Sequence, residues 1–450
     1  MSSVQAGAGP SVHDVVGLGF GPANLALAVA LREHAATTGR ELRSVFLERQ
    51  ASFGWHRGML IEGATMQVSF LKDLATMRNP VSPFGFLSYL KAKGRLADFV
   101  NHRSFYPTRV EFHDYLEWAA RHFEDTVHYA TEAVDVRPVV EGSDVVALDV
   151  ASRRPGDPAE RVYRTRNLVI ATGLVPRLPS GVERSPRIMH SSELLGRLTC
   201  LGVEAPRRFA VVGAGQSAAE AAAHLHERYP QAEVFAILPR YGYSVADDSP
   251  FANQIFDAGA IDDFFEAAPV VKEKLDAYHA NTNYSVVDLA LIEELYRRAY
   301  QESVTGRRRL HLKRMFQVIA ARSDRDRVSL SLVRAPGDPV TKLDVDIAVY
   351  ATGYRPMDPS PLLSGIAGMY KQDSSGRLRV GRDYRVETRP GSPVGIYLQG
   401  GTEHTHGISS SLLSNLAVRA WDIVESVSAS SAEPNIPAAA GADGGHRVRS

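Results

Sequence analysis

The sequence has 450 residues, 44% hydrophobic and 23% charged, enough to bury a large core in roughly two or three domains. Its 51 Lys and Arg balance 51 Asp and Glu, so no net field favours nucleic acid or an anionic membrane surface. No apolar run approaches the roughly 20 residues that cross a bilayer, and the lone Cys200 excludes reductases built on a redox-active cysteine pair.

Residues 1–11 are small and polar, with neither the cationic nor the apolar region of a signal peptide, and read as a flexible N-terminus of a cytoplasmic protein. An apolar run, His13-Asp-Val-Val16, then leads into Gly17-Leu-Gly19-Phe-Gly21-Pro22 and a helix from Pro22 to about Glu33. Strand, glycine turn and helix in that order form a dinucleotide fingerprint, in which backbone N–H groups at the helix start face a pyrophosphate. The next strand, residues 43–47, ends on Glu48, whose carboxylate can accept from ribose hydroxyls. Glu48 lies 31 residues after Gly17, beyond the usual ~20, and an extended turn over 37–41 accounts for the excess.

Residues 128–170 read as a run of short strands with turns at 141–144 and 154–157, ending in Asn167-Leu-Val-Ile-Ala-Thr-Gly173. A matching run, Asp346-Ile-Ala-Val-Tyr-Ala-Thr-Gly353-Tyr354, lies far downstream. Both have the character of buried parallel strands stopping on Thr-Gly, where small residues let backbone approach a cofactor. Cys200 reads as a half-buried thiol in a connector.

A second fingerprint, Gly213-Ala214-Gly215-Gln216-Ser217-Ala218, follows Arg208-Phe-Ala-Val-Val212. Its next strand, residues 233–238, ends on Pro239-Arg240 where the first ended on an acid, and an arginine there suits a 2′-phosphate. The first unit therefore suits FAD and the second NADPH. Two nucleotide cofactors in one chain point to a flavoprotein that takes hydride from a nicotinamide.

Residues 260–300 read as inserted helices (261–265 and 286–300), after which the chain returns to the first unit for Thr352-Gly353 and a last helix over 411–425. The expected fold is α/β, with two Rossmann-like dinucleotide-binding domains and a small, mainly helical substrate-binding segment. Its divisions are 12–203 and 326–427 for the FAD domain, 204–325 for the NADPH domain with the helical segment at 245–300, and a disordered tail over 428–450. His404 and His406 could share one face of a strand, but Glu403 is the only acid beside them. A turn with Ser409, Ser410 or Ser411 as N-cap suits them better than a metal.

The segments Met66-Gln67-Val-Ser-Phe-Leu-Lys72-Asp-Leu-Ala-Thr, Trp55-His56, Asn253-Gln254-Ile255-Phe256, Asn281-Thr-Asn283-Tyr284-Ser285 and Thr402-Glu-His-Thr-His-Gly407 carry more information than the glycine turns. They closely resemble the N-hydroxylating flavin monooxygenases, and among these the bacterial L-ornithine N5-hydroxylases, over residues 12–425. Ala351-Thr-Gly-Tyr354 fits that family's downstream signature. Tyr350 departs from its usual Leu or Phe, and Pro22 replaces the third fingerprint glycine, as is common in the family. His190 alone is kept from the Phe-x-Gly-x-x-x-His-x-x-x-Trp signature of related flavin monooxygenases.

The resemblance implies that Glu48, Trp55, His56 and Met66 line FAD, with Gln67 near the flavin ring and Ala133 on the adenine side. Ser411, Leu412 and Leu413 would present a helix N-terminus to the flavin. Ala214, Gly215, Gln216, Ser217, Arg240, Asn283, Tyr284 and Ser285 would hold NADPH. Lys72, Asn253, Gln254, Ile255, Phe256 and Asn283 would hold the amino-acid end of the substrate, with Ser414 near the reacting amine. As a compact point charge, Lys72 suits a single carboxylate, although most lysines are solvated. Asn253 and Asn283 could equally be turn residues.

The implied activity is N5-hydroxylation of L-ornithine with NADPH and O2 through a C4a-hydroperoxyflavin, for siderophores or other hydroxylamine-derived products, by a homotetramer. The chemistry is flavin-centred and needs no strong protein base, because an apolar site lowers the pKa of the substrate amine. L-Lysine or a diamine is the alternative substrate. An NADPH oxidase or flavin reductase, and a non-catalytic dinucleotide sensor, are the readings from other classes.

Overall fold

The computed structural model describes residues 12–200, 205–389 and 392–430. The expected flexible N-terminus and most of the expected disordered tail lie outside them. In the first unit, Val12–Leu18 pairs in parallel with Ser44–Leu47 on one side and Asp157–Ile170 on the other. Gly395–Leu398 adds in parallel beyond Asp157–Ile170. The helix Pro22–Thr38 is apolar from Leu25 to Leu31 and buried there, with the last helix, Leu416–Ser430, packed beside it.

Four local expectations change. The first helix runs to Thr38 and stops at Gly39, whose φ of 70° is the left-handed conformation that ends helices. The long spacing to Glu48 is thus helix rather than extended turn. The strands over 128–170 are long, not short: Glu132–Glu141, Asp144–Arg154 and Asp157–Ile170 form an antiparallel meander with the turns where the sequence places them. The last helix begins at Leu416, not Ser411, and continues through Ser430, so residues 428–430 are helical. Cys200 is exposed.

The second sheet is parallel, in the order Leu310–Arg314, Glu233–Leu238, Arg208–Val212, Ile347–Tyr350, Ile188–His190. Two of these strands lie outside the expected limits of 204–325, so the chain returns to the first sheet only with Gly395–Leu398. A buried apolar run fits either sheet; nothing in its own residues states which neighbour it pairs with. The antiparallel strands Gln317–Ser323, Val328–Val333 and Thr341–Val345 cover one face of this second sheet through Val328, Leu330 and Leu332. The chain crosses between units at two paired strands, Leu174–Pro176 and Tyr354–Pro356. There the buried His190 donates from Nε2 to the Gly353 carbonyl (3.0 Å) while its Nδ1 accepts from Ser192 N–H (3.1 Å), which defines a neutral ring.

The insertion is helical: Pro250–Asn253, Ala258–Glu266, Pro269–Asn283 and Leu289–Thr305, the last capped by Asp288. Pro269–Asn283 was not foreseen. Leu289–Thr305 packs on the fingerprint helix Gln216–Arg228, whereas Ala258–Glu266 packs on Glu403–His406 of the first unit. The insertion therefore joins the two units over the edge where both fingerprints end. Among the described residues no helix is long and apolar enough to cross a membrane.

Candidate active site

Both glycine turns are built by one device. Gly19 (φ 81°) and Gly213 (φ 144°) occupy conformations that L side chains rarely adopt, and a Cβ on either would strike the carbonyl of Ala171 or Ala351. The Ala-Thr-Gly runs thus brace the turns themselves, and small residues are required there before any cofactor is considered. A Cβ on Gly21 would meet nothing within 4 Å. The helices that follow, at Pro22 and Gln216, start on Gly21 and Gly215 with no side-chain cap. Two other α-helices have one (Thr108 accepts from Glu111 N–H, and Asp288 from Ala290 N–H), and most have none, so it is the glycine turn and not the missing cap that sets these two apart. At Gly21 the free N–H groups of the helix start lie beside open space, which is what a pyrophosphate needs, whereas Gly215 has Ser285 against it.

Glu48 is buried, with Oε2 accepting from Phe20 N–H (2.7 Å) and Oε1 from Gln50 N–H (2.8 Å). Its charge is fixed beside the first turn, and each oxygen keeps a lone pair for a ribose hydroxyl. Its carbonyl accepts from Thr131 N–H (2.9 Å), which brings the strand carrying Ala133 alongside. Asn24 and Gln399 were not singled out from the sequence. Asn24 Nδ2 donates to the Gly19 carbonyl (2.7 Å), and Gln399 Nε2 to Asn24 Oδ1 (3.0 Å). A lone amide in the apolar stretch Ala23-Asn24-Leu25-Ala26 was the available signal. Gln399 Oε1, Thr402 Oγ1, Ser410 Oγ and Asn415 Nδ2 are buried without hydrogen-bond partners, concentrating unsatisfied polar groups in the segment beside this edge. These features fit a bound dinucleotide.

Trp55 packs on the first core and meets His56 edge-on, 4.5 Å between centroids. The His56 ring is open to the crevice yet surrounded by protein, and desolvation, helped by Arg109, lowers its pKa to about 4. Met66 is buried and Gln67 exposed. A cavity of about 310 Å³ opens at the carboxyl ends of Asp157–Ile170 and Gly395–Leu398, lined in part by Thr172, Asp358, Arg377, Gln399 and His404. None of the residues expected at the amino-acid end of the substrate lines it.

In the second unit, Arg240 Nη1 donates to the Ser285 carbonyl (3.1 Å), and the Ser285 Cα lies 3.3 Å from where a Gly215 Cβ would stand. Arg240, Gly215 and Ser285 are therefore together. The Gln216 side chain is occupied: Nε2 donates to Glu220 (3.0 Å) and Oε1 accepts from Asp288 N–H (2.9 Å). Only its backbone is left for a nucleotide. Ala214 is buried and Ser217 half-buried. Glu220 in turn forms a bidentate pair with Arg109 of the first unit, at 2.7 and 2.8 Å. That pair was missed, although a single acid in Ala218-Ala-Glu-Ala-Ala222 was a visible anomaly.

Lys72 is half-buried, and its Nζ lies 5.9 Å from the ring centroid of the buried Phe256. Among the described residues no carboxylate pairs with it. The adjacent Asp73 is engaged elsewhere, accepting from the backbone of Ala75, Thr76 and Phe86 at 2.6 to 2.9 Å. The turn Gln254–Phe256, which carries Phe256, packs against the turn Ile408–Ser411. Gln254 is exposed and Ile255 half-buried. Asn253 Nδ2 donates to the Asp248 carbonyl (2.8 Å), a turn role that leaves its oxygen as acceptor. Asn283 ends its helix, half-buried, and Ser414 is buried.

Ser411, Leu412 and Leu413 precede the last helix instead of forming its N-terminus, because Ile408–Ser411 is a separate 3-10 turn. The buried Arg419 donates to the Ser410 carbonyl from beneath that turn. His404 and His406 lie in a short helix, not a strand. They contact the Leu378 and Arg382 carbonyls at 3.0 and 3.2 Å, and burial depresses both pKa values, His406 to about 4.

Residues 11–356 match the family described as L-lysine 6-monooxygenase/L-ornithine 5-monooxygenase. An L-ornithine N(5)-monooxygenase of Pseudomonas aeruginosa is 39% identical over 93% of this chain and 94% of its own length. The structure of an ornithine N-hydroxylase from Kutzneria sp. 744, with reduced FAD, NADP+ and L-ornithine, superposes with a TM-score of 0.89 at 50% identity, covering 93% of this chain and 99% of that one. An L-lysine 6-monooxygenase from Pseudomonas syringae superposes at 0.82 with 32% identity, covering 93% and 100%.

Proposed function

The chain belongs to the L-lysine 6-monooxygenase/L-ornithine 5-monooxygenase family, and from that premise we propose that it hydroxylates the side-chain amine of L-ornithine, using FAD, NADPH and dioxygen. The observation that carries the substrate end is Lys72, a half-buried ammonium over Phe256 with no carboxylate partner among the described residues. A substrate α-carboxylate is the complement of that charge. Asn253 Oδ1 and Asn283 are acceptors for the α-ammonium, while the reacting amine extends toward Ser414. Bound FAD supplies the redox chemistry that activates dioxygen. The protein holds the amine in line and keeps the site dry, and its apolar wall of Ile255 and Phe256 favours the neutral, nucleophilic amine.

Ornithine, lysine and putrescine, each assayed for hydroxylamine formed per NADPH consumed, test this reading. Lysine is one methylene longer, and a displacement on the order of 1 Å at the reacting atom can cost ~10²-fold in rate. It is expected to stimulate NADPH oxidation while yielding mostly peroxide, and putrescine, lacking the carboxylate, to do worse. Coupling with lysine equal to that with ornithine would overturn the assignment.

Arg240 is assigned to the NADPH 2′-phosphate. Loss of a charge-assisted hydrogen bond costs about 1.5–3 kcal/mol. Arg240→Ala should therefore lower the ratio of kcat/KM for NADPH over NADH by roughly 10- to 100-fold. An unchanged ratio would remove Arg240 from the site. We further propose a cytoplasmic homotetramer. The exposed Tyr296, Tyr300 and Val304 along Leu289–Thr305 support an oligomer, and sedimentation equilibrium tests its order.

A further inference from the structure

Ala258–Glu266, the helix that follows the turn Gln254–Phe256, carries Ile261, Phe264 and Phe265 at the i, i+3, i+4 spacing of a single packing face. That face rests on the first unit. A Cβ on Gly407 would stand 3.1 Å from the Phe264 ring, and the φ of Gly407 is 73°, so contact and backbone both require glycine there. Phe265 meets His406 at 5.4 Å between ring centroids, and the His406 ring is stacked on the buried Tyr384 at 4.1 Å and 19°. Tyr384 is left-handed (φ 64°), a conformation that a non-glycine residue keeps only when its surroundings impose it. Beside this stack the Arg382 guanidinium donates from Nε to Asp262 of the docked helix and from Nη1 to Asp422 of the last helix (2.9 Å). The Arg382 carbonyl accepts from His406 Nε2 (3.2 Å). One residue of the first unit thus ties together the insertion, the last helix and the short helix Glu403–His406.

The same platform continues to the substrate end. The turn Gln254–Phe256 packs on Ile408–Ser411, directly after Gly407, and its Phe256 ring centroid lies 5.9 Å from Lys72 Nζ. Asp257 alone separates Phe256 from the docked helix, and its N–H donates back to the Gln254 carbonyl (3.0 Å). A shift of the helix is therefore passed on to Phe256 and Asn253. At the far end, Lys272 of the next helix donates to the Phe265 carbonyl (3.1 Å). Beyond that point the insertion changes allegiance: Pro269–Asn283 buries only His279, and Leu289–Thr305 packs on the second unit.

We propose that Asp262, Phe264 and Phe265, seated on Arg382, His406 and Gly407, are positioning residues for the substrate: they fix the turn 253–256 at a set distance from Lys72 and so hold the reacting amine in line. The inference rests on the assignment of 253–256 and Lys72 to the amino-acid end of ornithine. Asp262 touches neither substrate nor cofactor in this reading and acts through Phe256. His406 gains a part as the floor on which the insertion stands.

Asp262→Ala in the full-length, FAD-loaded protein tests it, because Arg382 keeps Asp422 and no charge is left stranded. The pair is partly exposed, Arg382 at 32% and Asp262 at 57%, so FAD content and melting temperature should stay near those of the parent protein. Hydrogen exchange across 253–266 should quicken severalfold, while that of Leu289–Thr305 should not change. The KM for ornithine should rise roughly two- to fivefold and hydroxylamine formed per NADPH should fall, with the rate of flavin reduction by NADPH unchanged. Gly407→Ala, which drives a methyl group against the Phe264 ring, should move the same quantities further. Asp262→Asn, which keeps an acceptor oxygen, should restore part of what Asp262→Ala loses.

Parental exchange across 253–266, or parental KM and coupling, in both Asp262→Ala and Gly407→Ala would overturn the proposal. So would a loss of coupling that only accompanies lost FAD or a lowered melting temperature, which would mark the dock as merely structural. If the parent protein forms no hydroxylamine from ornithine while exchange responds as expected, the substrate reading has failed and the dock holds the insertion for another purpose. Should Gly407→Ala not fold, Phe265→Leu, which takes the ring away from His406, provides the same readouts.

Discussion

Arg109→Ala is expected to reduce the unfolding free energy of the FAD-loaded protein by about 3–5 kcal/mol, the usual cost of breaking a buried ion pair from one side. The Arg109 guanidinium is 11% exposed and the Glu220 carboxylate 4%, so the remaining acid has little water to replace its partner. Arg109 opens the helix Arg109–Ala120 of the first unit, and its Nη1 also donates to the Met59 carbonyl (2.9 Å). Glu220 belongs to the fingerprint helix of the second unit and accepts from Gln216, which in turn holds the backbone at Asp288. Truncating the arginine therefore disturbs the seam between units as well as one pair. Replacing both residues with apolar ones of similar volume, Arg109→Met with Glu220→Leu, should recover most of the loss, since no charge is then left stranded. Chemical unfolding followed by flavin fluorescence measures both. A single-variant loss below about 1 kcal/mol, the range of exposed pairs, would mean that water reaches the pair.

The second large effect is expected from Lys72→Ala. Truncating one member of a desolvated charge pair costs about 2–5 kcal/mol, which corresponds to a KM for ornithine raised by roughly 30-fold to several thousand-fold. FAD content and flavin reduction by NADPH should remain near normal, because Lys72 approaches Phe256 and not the glycine turns. Turnover should pass largely to peroxide, since an amine without its carboxylate anchor spends little time in line for attack. Steady-state kinetics with parallel peroxide and hydroxylamine assays separates these effects. A normal hydroxylamine yield at low ornithine would show that another group binds the carboxylate.

Most of the nucleotide-binding architecture was legible in the chain. Strand, glycine turn and helix are contiguous, so their geometry follows from neighbouring residues, and the strand ends Glu48 and Arg240 can be compared directly. The start of the last helix was less so. Ser409, Ser410 and Ser411 all look like N-caps, yet they belong to the separate turn Ile408–Ser411, Ser411 Oγ accepts from Gly401 N–H, and the helix begins at Leu416.

What the sequence determined by itself was therefore what local chemistry dictates: two dinucleotide turns, opposite charges at their strand ends, and motifs dense enough to resemble one enzyme family. Tertiary structure alone decided that Ile347–Tyr350 joins the second sheet, that Arg109 answers Glu220 from 111 residues away, and that Gln399 reaches Asn24 beside the first glycine turn. A buried strand carries no mark of its neighbour, and a charged side chain carries no mark of its counterion. Both acquire partners only when long loops close and the two units pack.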